Sequence, residues 1–325
     1  MKRIHSLALG RFTLIHPLIG VMSFCFMCGN VLFWAGLMHV FAVSRLWQKK
    51  RSLARTEKLY DVCFSGWIST NEWWFQRVLG VYWQLDESMQ KDFEHWHLMV
   101  ANHRSWADVY IILAQLNGRR PLPRVFIKQI LFWLPLVGSA AWLMGFPFMK
   151  RYSKAKLQKS PHLKGKDLAT TRQSCERFMQ RPNSVLSFVE GTRFSPKKHR
   201  QQGVPYHCLL KPKAGGVSLV LQAMPGKFSR LTDINVLYGQ KNISFWDLLC
   251  GRLTEAQLIV RDVALPESML QPTYQAATSD REDFFAWFNL YWHDKDSRMV
   301  QQLKAMKATN TPLKDVLREG NTSQK

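Results

Sequence analysis

Two clusters in this chain have the residue types and spacing to do chemistry. The first is His97 to Asp108, HLMVANHRSWAD, in which His103 stands five residues before Asp108. On a straight helix the neighbours are three and four apart, so a meeting of His103 and Asp108 puts the histidine in a strand-to-helix loop and the aspartate in the helix's first turn. Leu98, Met99 and Val100 can form the buried strand, Ser105 the N-cap, and Trp106 to Leu116 the apolar-faced helix. A carboxylate on one imidazole nitrogen would leave the other free as a general base. A structural reading also fits, because Ser105-Trp106-Ala107-Asp108 has the form of a capping box.

The second cluster is Glu190-Gly191-Thr192-Arg193, which follows the apolar run Ser184 to Val189. Loops at the carboxyl ends of α/β strands are where such sheets bind ligands. Gly191 allows close backbone approach, and Arg193 supplies a planar fork suited to phosphate, with Glu190 expected to hold that fork in place. Alone, the tetrapeptide also fits a tight turn with a surface ion pair.

The rest of the chain must position these groups. Strand and helix patterns alternate from residue 78 to 307, which predicts one α/β domain with a mixed central sheet flanked by helices. Strands are expected at 78–85, 124–127, 184–189, 232–238 and 257–263, and helices at 167–180, 217–224, 245–252 and 280–307. Residues 195–206 read as a long basic loop and 309–325 as a disordered polar tail.

Residues 1–77 read as a separate membrane-anchoring part. Pro17 to Val43 holds 27 residues without Lys, Arg, Asp or Glu. As a helix it reaches about 40 Å, whereas a bilayer core needs about 20 residues. A buried core helix and a cleaved signal peptide fit less well, the latter because the apolar run is too long. Six basic residues follow the span closely (Arg45, Lys49, Lys50, Arg51, Arg55, Lys58) against three before it, which puts the following domain in the cytoplasm. A span that enters and returns near Gly29-Asn30 is the alternative. Leu53 to Arg77 is expected as a second helix at the interface or as the first helix of the soluble domain. Residues 129–151 are apolar but broken by Pro135 and Gly138, and predict a kinked helix set in the membrane surface followed by a strand at 145–149.

The formal net charge of +22 implies an acidic partner. The 13 tryptophans favour lipid headgroups, and there is no zinc-finger, zipper or RNP-type pattern to support nucleic acid. A non-catalytic basic protein binding membrane or nucleic acid is the competing class. The six cysteines show no metal-ligand spacing and fit free thiols in a reducing compartment.

Taken in order, NHRSWAD, then Lys128-x6-Pro135-x2-Gly138, then FVEGTR resembles the glycerolipid acyltransferases of the lysophosphatidic acid acyltransferase type, marked by the H-x4-D box. The stretches FPFMKRYSKAKL and GKDLATTRQSCERF look like the YihG-type inner-membrane branch of bacteria, and the resemblance covers roughly residues 78–265. It implies His103 as general base and Asp108 as its orienting carboxylate. It implies Glu190, Gly191, Thr192 and Arg193 around the acceptor's phosphate, with Lys128 and Arg151 as further contacts. Pro135 and Gly138 would shape the wall of an acyl channel. Substrates would be a lysophospholipid and an acyl-CoA or acyl-carrier-protein thioester, at the cytoplasmic face of a bacterial inner membrane, with no cofactor, metal or nucleic acid. Two departures stand out: Lys150 replaces the aspartate that often precedes the arginine of the third block, and Asp233-Ile234-Asn235-Val236 lacks the proline of the fourth.

Overall fold

The computed structural model describes residues 15–44, 53–125, 127–146, 148–149, 181–240, 243–253, 255–270 and 278–322. The helix expected at 167–180 and the Arg151 site lie outside the described residues. So does the side chain of Lys128, whose backbone belongs to a short strand.

Six strands form one mixed sheet. In chain order they are β1 (Tyr82–Gln84), β2 (His97–Ala101), β3 (Pro123–Val125), β6 (Ser184–Phe188), β7 (Arg230–Tyr238) and β8 (Glu255–Ala264), laid side by side as β1-β8-β7-β2-β6-β3. All neighbours are parallel except β7 and β8. β2 lies at the centre, between β6 and β7, and every one of its residues is buried. A strand covered on both faces reads as a continuous apolar run, as Leu98-Met99-Val100 does. β4 (Ile127–Lys128) and β5 (Phe148–Met149) pair in a separate two-stranded piece, so the run expected as one strand at 124–127 is shared between two sheets.

Helices cover both faces of the sheet. One apolar layer joins Leu98, Val185 and Leu231 to Phe284, Phe288 and Trp292 of the last helix. The other joins Met99, Leu186 and Ile234 to Ile111, Ile112 and Leu116 of the helix that follows His103.

The N-terminal part is a helical pair. α1 (Ile15–Ser44) is, among the described residues, the one helix long and apolar enough to cross a membrane. α2 (Leu53–Trp73) continues into a π-helical stretch, Trp74–Val78, so the helix expected over 53–77 is met almost to its bounds and the strand expected at 78–85 begins only at Tyr82. The face of α1 that meets the protein carries its small and polar residues. A Cβ on Gly20 would come within 2.7 Å of Trp246 and Cys250. Ser23 accepts from Trp74 Nε1 at 3.1 Å, and Asn30 donates to Trp67 O at 3.2 Å. His39 Nε2 lies 2.8 Å from Ser139 Oγ. The other face leaves Leu18, Val21, Met22, Phe33 and Val40 exposed.

Between β4 and β5 the expected kink takes a definite form. A 3-10 turn (Gln129–Trp133) leads through Pro135 and Leu136, the latter at φ +61°, into α4 (Val137–Leu143). A Cβ on Gly138 would lie 2.0 Å from the Phe132 carbonyl oxygen, so only glycine lets the two turns touch. Ile130, Trp133 and Leu134 project outward from this segment, 71%, 75% and 50% exposed.

Three expectations need correction. Residues 195–206 are not a loop: Ser195 caps α5 (Pro196–Gln202), Pro196 takes its first turn, and Gly203 in the left-handed region ends it. These are helix boundary signals, and the basic run between them buries no residue, so the helix lacks the apolar periodicity that would mark it. The final helix, α9 (Thr278–Thr322), extends into the stretch expected as a disordered tail. The helix at 217–224 begins earlier, as α6 (Gly215–Ala223), and the one at 245–252 is shorter, as α7 (Phe245–Leu249). A four-residue α8 (Glu267–Leu270) joins β8 to the last helix.

Candidate active site

The carboxyl ends of β2, β6 and β7 converge, and the His103 loop leaves the first of them. Asn102 closes the strand. Its side chain donates to Val236 O at 3.0 Å and accepts from Val236 N at 2.8 Å, so it extends the β2–β7 ladder by one residue.

His103 then turns out of the sheet. Its Nδ1 lies 2.9 Å from Asp108 Oδ2. Asp108 sits in the first turn of α3 (Ala107–Leu116) and is fully buried. The same Oδ2 accepts from the Arg104 amide at 2.6 Å and the Ser105 amide at 3.0 Å, and Oδ1 accepts from the Tyr238 hydroxyl. One carboxylate thus folds the loop and orients the imidazole. Both readings of S-W-A-D hold in part, because Asp108 makes the reciprocal bond of a capping box and the bond to histidine. Ser105 is not the N-cap in geometry. That position falls on Trp106, and Ser105 Oγ accepts only from Ala107 N at 3.3 Å.

The imidazole packs on Phe188, with ring centroids 4.4 Å apart, and stands edge-on to Trp106. Its side chain is 12% exposed, and among the described residues Nε2 has no hydrogen-bond partner. A neutral imidazole that donates Nδ1–H to Asp108 presents Nε2 as an acceptor, the form a general base needs. Burial and the adjacent Asp108 charge push the Tyr238 hydroxyl well above its ordinary value, which keeps it a donor.

Glu190 does something other than expected. It is 1% exposed and does not clamp Arg193. Its Oε1 accepts from the His103 amide at 2.8 Å and its Oε2 from the Leu210 amide at 3.0 Å. Burial raises its carboxyl to about 7, against the opposing effect of these two amides. The physical reason is placement: Glu190 lies in the buried turn that follows β6, and the chain comes out to the surface at Gly191, where φ is +66°.

Thr192 and Arg193 follow on the surface. Lys198 Nζ donates to Thr192 Oγ1 at 2.6 Å and to the Arg193 carbonyl at 3.0 Å. The Phe194 amide donates to the His103 carbonyl at 2.7 Å, which joins the two candidate loops directly. The Arg193 guanidinium is exposed and has no protein partner among the described residues. Pro135 is exposed in the turn before α4, and Gly138 is buried against Phe132.

Behind the site lies a charged cluster that the sequence did not reveal. Lys295 of α9 is fully buried and bonds Asp233, the Ile234 carbonyl at 2.9 Å and Asn235. Asp233 also accepts from Tyr291 at 2.7 Å and Arg298 at 3.0 Å. Asp296 accepts from the amides of His207 and Cys208, each at 2.7 Å, and Trp292 donates to the Leu210 carbonyl at 3.0 Å. The proline-free stretch 233–236 is therefore the middle of β7 and the seat of α9. Tyr238 was missed as well. Its only sequence signal is a polar aromatic ending an apolar strand.

An α/β fold with a buried aspartate behind a part-exposed histidine, at the carboxyl edge of parallel strands, is the class that this geometry defines. Residues 83–238 match the family model described as Acyltransferase, and His103, Asp108, Glu190, Arg193 and Tyr238 all fall inside that stretch. No curated protein matches the sequence. Among solved structures, the chain is similar in fold to the 1-acyl-sn-glycerophosphate (LPA) acyltransferase PlsC from Thermotoga maritima. The TM-score is 0.52 at 15% identity, over 94% of this chain and 98% of that one.

Proposed function

We propose that this protein transfers a fatty acyl group from a thioester, acyl-CoA or acyl-carrier protein, to the free hydroxyl of a lysophospholipid. The first candidate is 1-acylglycerol-3-phosphate, which would give phosphatidic acid. The observation that carries the reading is the 2.9 Å contact of His103 with buried Asp108, with Nε2 left open, inside the stretch that matches the acyltransferase model.

The acceptor hydroxyl is a weak nucleophile at neutral pH. His103 Nε2 takes its proton as the oxygen attacks the thioester carbonyl, a new C–O bond forms, and the C–S bond breaks as the intermediate collapses. The proton then passes from the imidazolium to the departing thiolate. Asp108 holds the tautomer and steadies the imidazolium without taking the proton, as in a serine-protease triad. The acceptor itself attacks, so no enzyme nucleophile is required, and holding both substrates together supplies much of the acceleration.

Arg193, on its exposed loop beside Thr192, grips the acceptor's phosphate, with Lys128 and Arg151 as further contacts. In this reading Glu190 shapes the phosphate loop by tying His103 to Leu210 and does not touch the ligand. The turn at Pro135 and Gly138 borders the acyl chain's path.

The membrane is the source of the acceptor and the sink for the product. α1 meets the protein from Gly20 to His39, and its exposed apolar face, with Trp133 and Ile130 of the kinked segment, supplies the surface that holds the protein in the bilayer. The domain faces the cytoplasm of a bacterium, at the inner membrane, as a member of the YihG-type branch.

Membranes carrying the protein should convert lysophosphatidic acid and acyl-CoA to phosphatidic acid and free CoA. His103→Ala should remove this activity at an unchanged protein level, and a retained rate would overturn the mechanism. Arg193→Ala should chiefly raise KM for the phosphorylated acceptor, and a comparison of lysophospholipid acceptors in the same assay identifies the preferred one.

A further inference from the structure

Beside the histidine loop lies a cavity of about 240 Å³ that the reading above leaves empty of function. Its walls include Phe194, Tyr238, Gln240, Ile243 and Ser244, with Arg104 among them. Each of three walls is bonded to the candidate pair. The Arg104 amide donates to Asp108, the Tyr238 hydroxyl donates to the same carboxylate, and the Phe194 amide donates to the His103 carbonyl.

Arg104 has an unusual environment for a cation. Its guanidinium carbon lies 4.7 Å over the Phe194 ring, and its Nε is buried with no hydrogen-bond partner. Among the described residues its side chain has no ion pair. The one carboxylate in the cavity wall, Asp247, is occupied by the Ser244 amide and hydroxyl and by Arg252, whose Nη2 lies 2.6 Å away. The side chain is part-buried, held over an aromatic face at the edge of the cavity, and the buried Nε is a donor that no protein acceptor satisfies. Its planar fork fits a phosphate, and the volume suits a phosphate or diphosphate rather than a whole nucleotide.

We propose that this cavity is a second phosphate subsite, separate from the Arg193 loop, with Arg104 as its cation, and that it takes a phosphate of the acyl donor. The proposal rests on the acyl-transfer reading. Both substrates of that reaction are anionic, and two arginines on adjoining loops, Arg104 and Arg193, form no ion pair among the described residues. One handle for each substrate would bring the thioester and the hydroxyl together at Nε2 from opposite phosphates.

The test uses the full-length protein in detergent with Arg104→Gln, Arg104→Lys and Gln240→Glu. The last changes an exposed residue and offers Arg104 a carboxylate in place of the ligand. Loss of a charge-assisted contact predicts a rise of roughly 10-fold or more in KM for acyl-CoA in Arg104→Gln and Gln240→Glu. Arg104→Lys should recover part of it. The advantage of acyl-CoA over a phosphate-free acyl-N-acetylcysteamine thioester should shrink in parallel. A rise confined to KM for lysophosphatidic acid would assign the cavity to the acceptor's phosphate and overturn the donor assignment.

Calorimetric binding of inorganic pyrophosphate gives an arm independent of turnover. Weaker binding in Arg104→Gln supports the subsite even if no acyl transfer is found, in which case the catalytic reading alone falls. Equal binding in Arg104→Gln and the native protein overturns the subsite.

Discussion

Asn102 and Val236 exchange two hydrogen bonds, side chain to main chain, across the ends of neighbouring strands. The residue immediately before His103 therefore behaves as one more rung of the sheet, and the histidine's Cα inherits the rigidity of β2 and β7. Asn102→Ala would strand a buried N–H and a buried C=O on Val236. Each such group costs about 1–3 kcal/mol. Chemical denaturation should show a loss of at least that size, and kcat should fall more than KM rises, because the geometry around His103 loosens while substrate contacts remain. A variant with native stability would show that the rung carries no load.

Tyr238→Phe removes the hydroxyl that holds Asp108 Oδ1 and leaves every apolar contact in place. A hydrogen bond to a charged group contributes about 1.5–3 kcal/mol. If much of that is expressed in orienting the carboxylate, kcat falls about tenfold or more with a normal circular-dichroism spectrum. Steady-state kinetics on the purified variant decides it.

Glu190 gives a pH signature. Its carboxyl ordinarily titrates at 4.5 and is raised here to about 7 by burial, so between those values the folded protein holds a proton that the unfolded chain does not. Stability contributed through this group therefore declines as pH rises across that window and levels off above it. Glu190→Gln lacks the titration. Urea denaturation from pH 4.5 to 8 should show the variant gaining ground on the native protein as pH increases, and parallel curves would disprove the assignment.

Lys295 and Asp233 form a fully buried ion pair between α9 and β7. Lys295→Ala removes one partner and leaves Asp233 supported by Tyr291 and Arg298 alone. Breaking a buried pair costs about 3–5 kcal/mol, and thermal unfolding should register a loss of that order. A change below about 1 kcal/mol, the scale of surface pairs, would mean that the cluster is solvated.

The outward apolar side chains at the kink give the membrane prediction. Exchanging Ile130, Trp133 and Leu134 together for serine removes apolar surface that is more than half exposed at Ile130 and Trp133. Vesicle flotation should show weaker attachment and turnover of vesicle-borne lysophospholipid should drop, while turnover of acceptor in mixed micelles should be affected less.

What the sequence disclosed follows the distance over which each contact acts. The His103–Asp108 geometry was readable because five residues and one helix start define it. The buried strands at 97–101 and 184–188 were readable because burial on both faces leaves an apolar run. Proximity in sequence suggests Glu190 as a clamp on Arg193, three residues away, whereas its partners are His103 and Leu210, 87 and 20 positions distant. Tyr238 meets Asp108 across 130 positions, and no local pattern marks such a contact. α5 is the opposite case: Ser195, Pro196 and Gly203 announce it locally, although the basic residues between them give it no apolar face.

Trp292 and Asp296 fasten residues 207–210, and Leu210 in turn meets the carboxylate that grips the His103 amide. The last helix is thus mechanically in series with the histidine, although it lies wholly downstream of the stretch that matches the family model. A truncation that spared every residue from 83 to 238 but cut the chain before position 290 would leave His103 on a slack tether. Shortened versions of this protein should be judged by whether they keep that far-end brace.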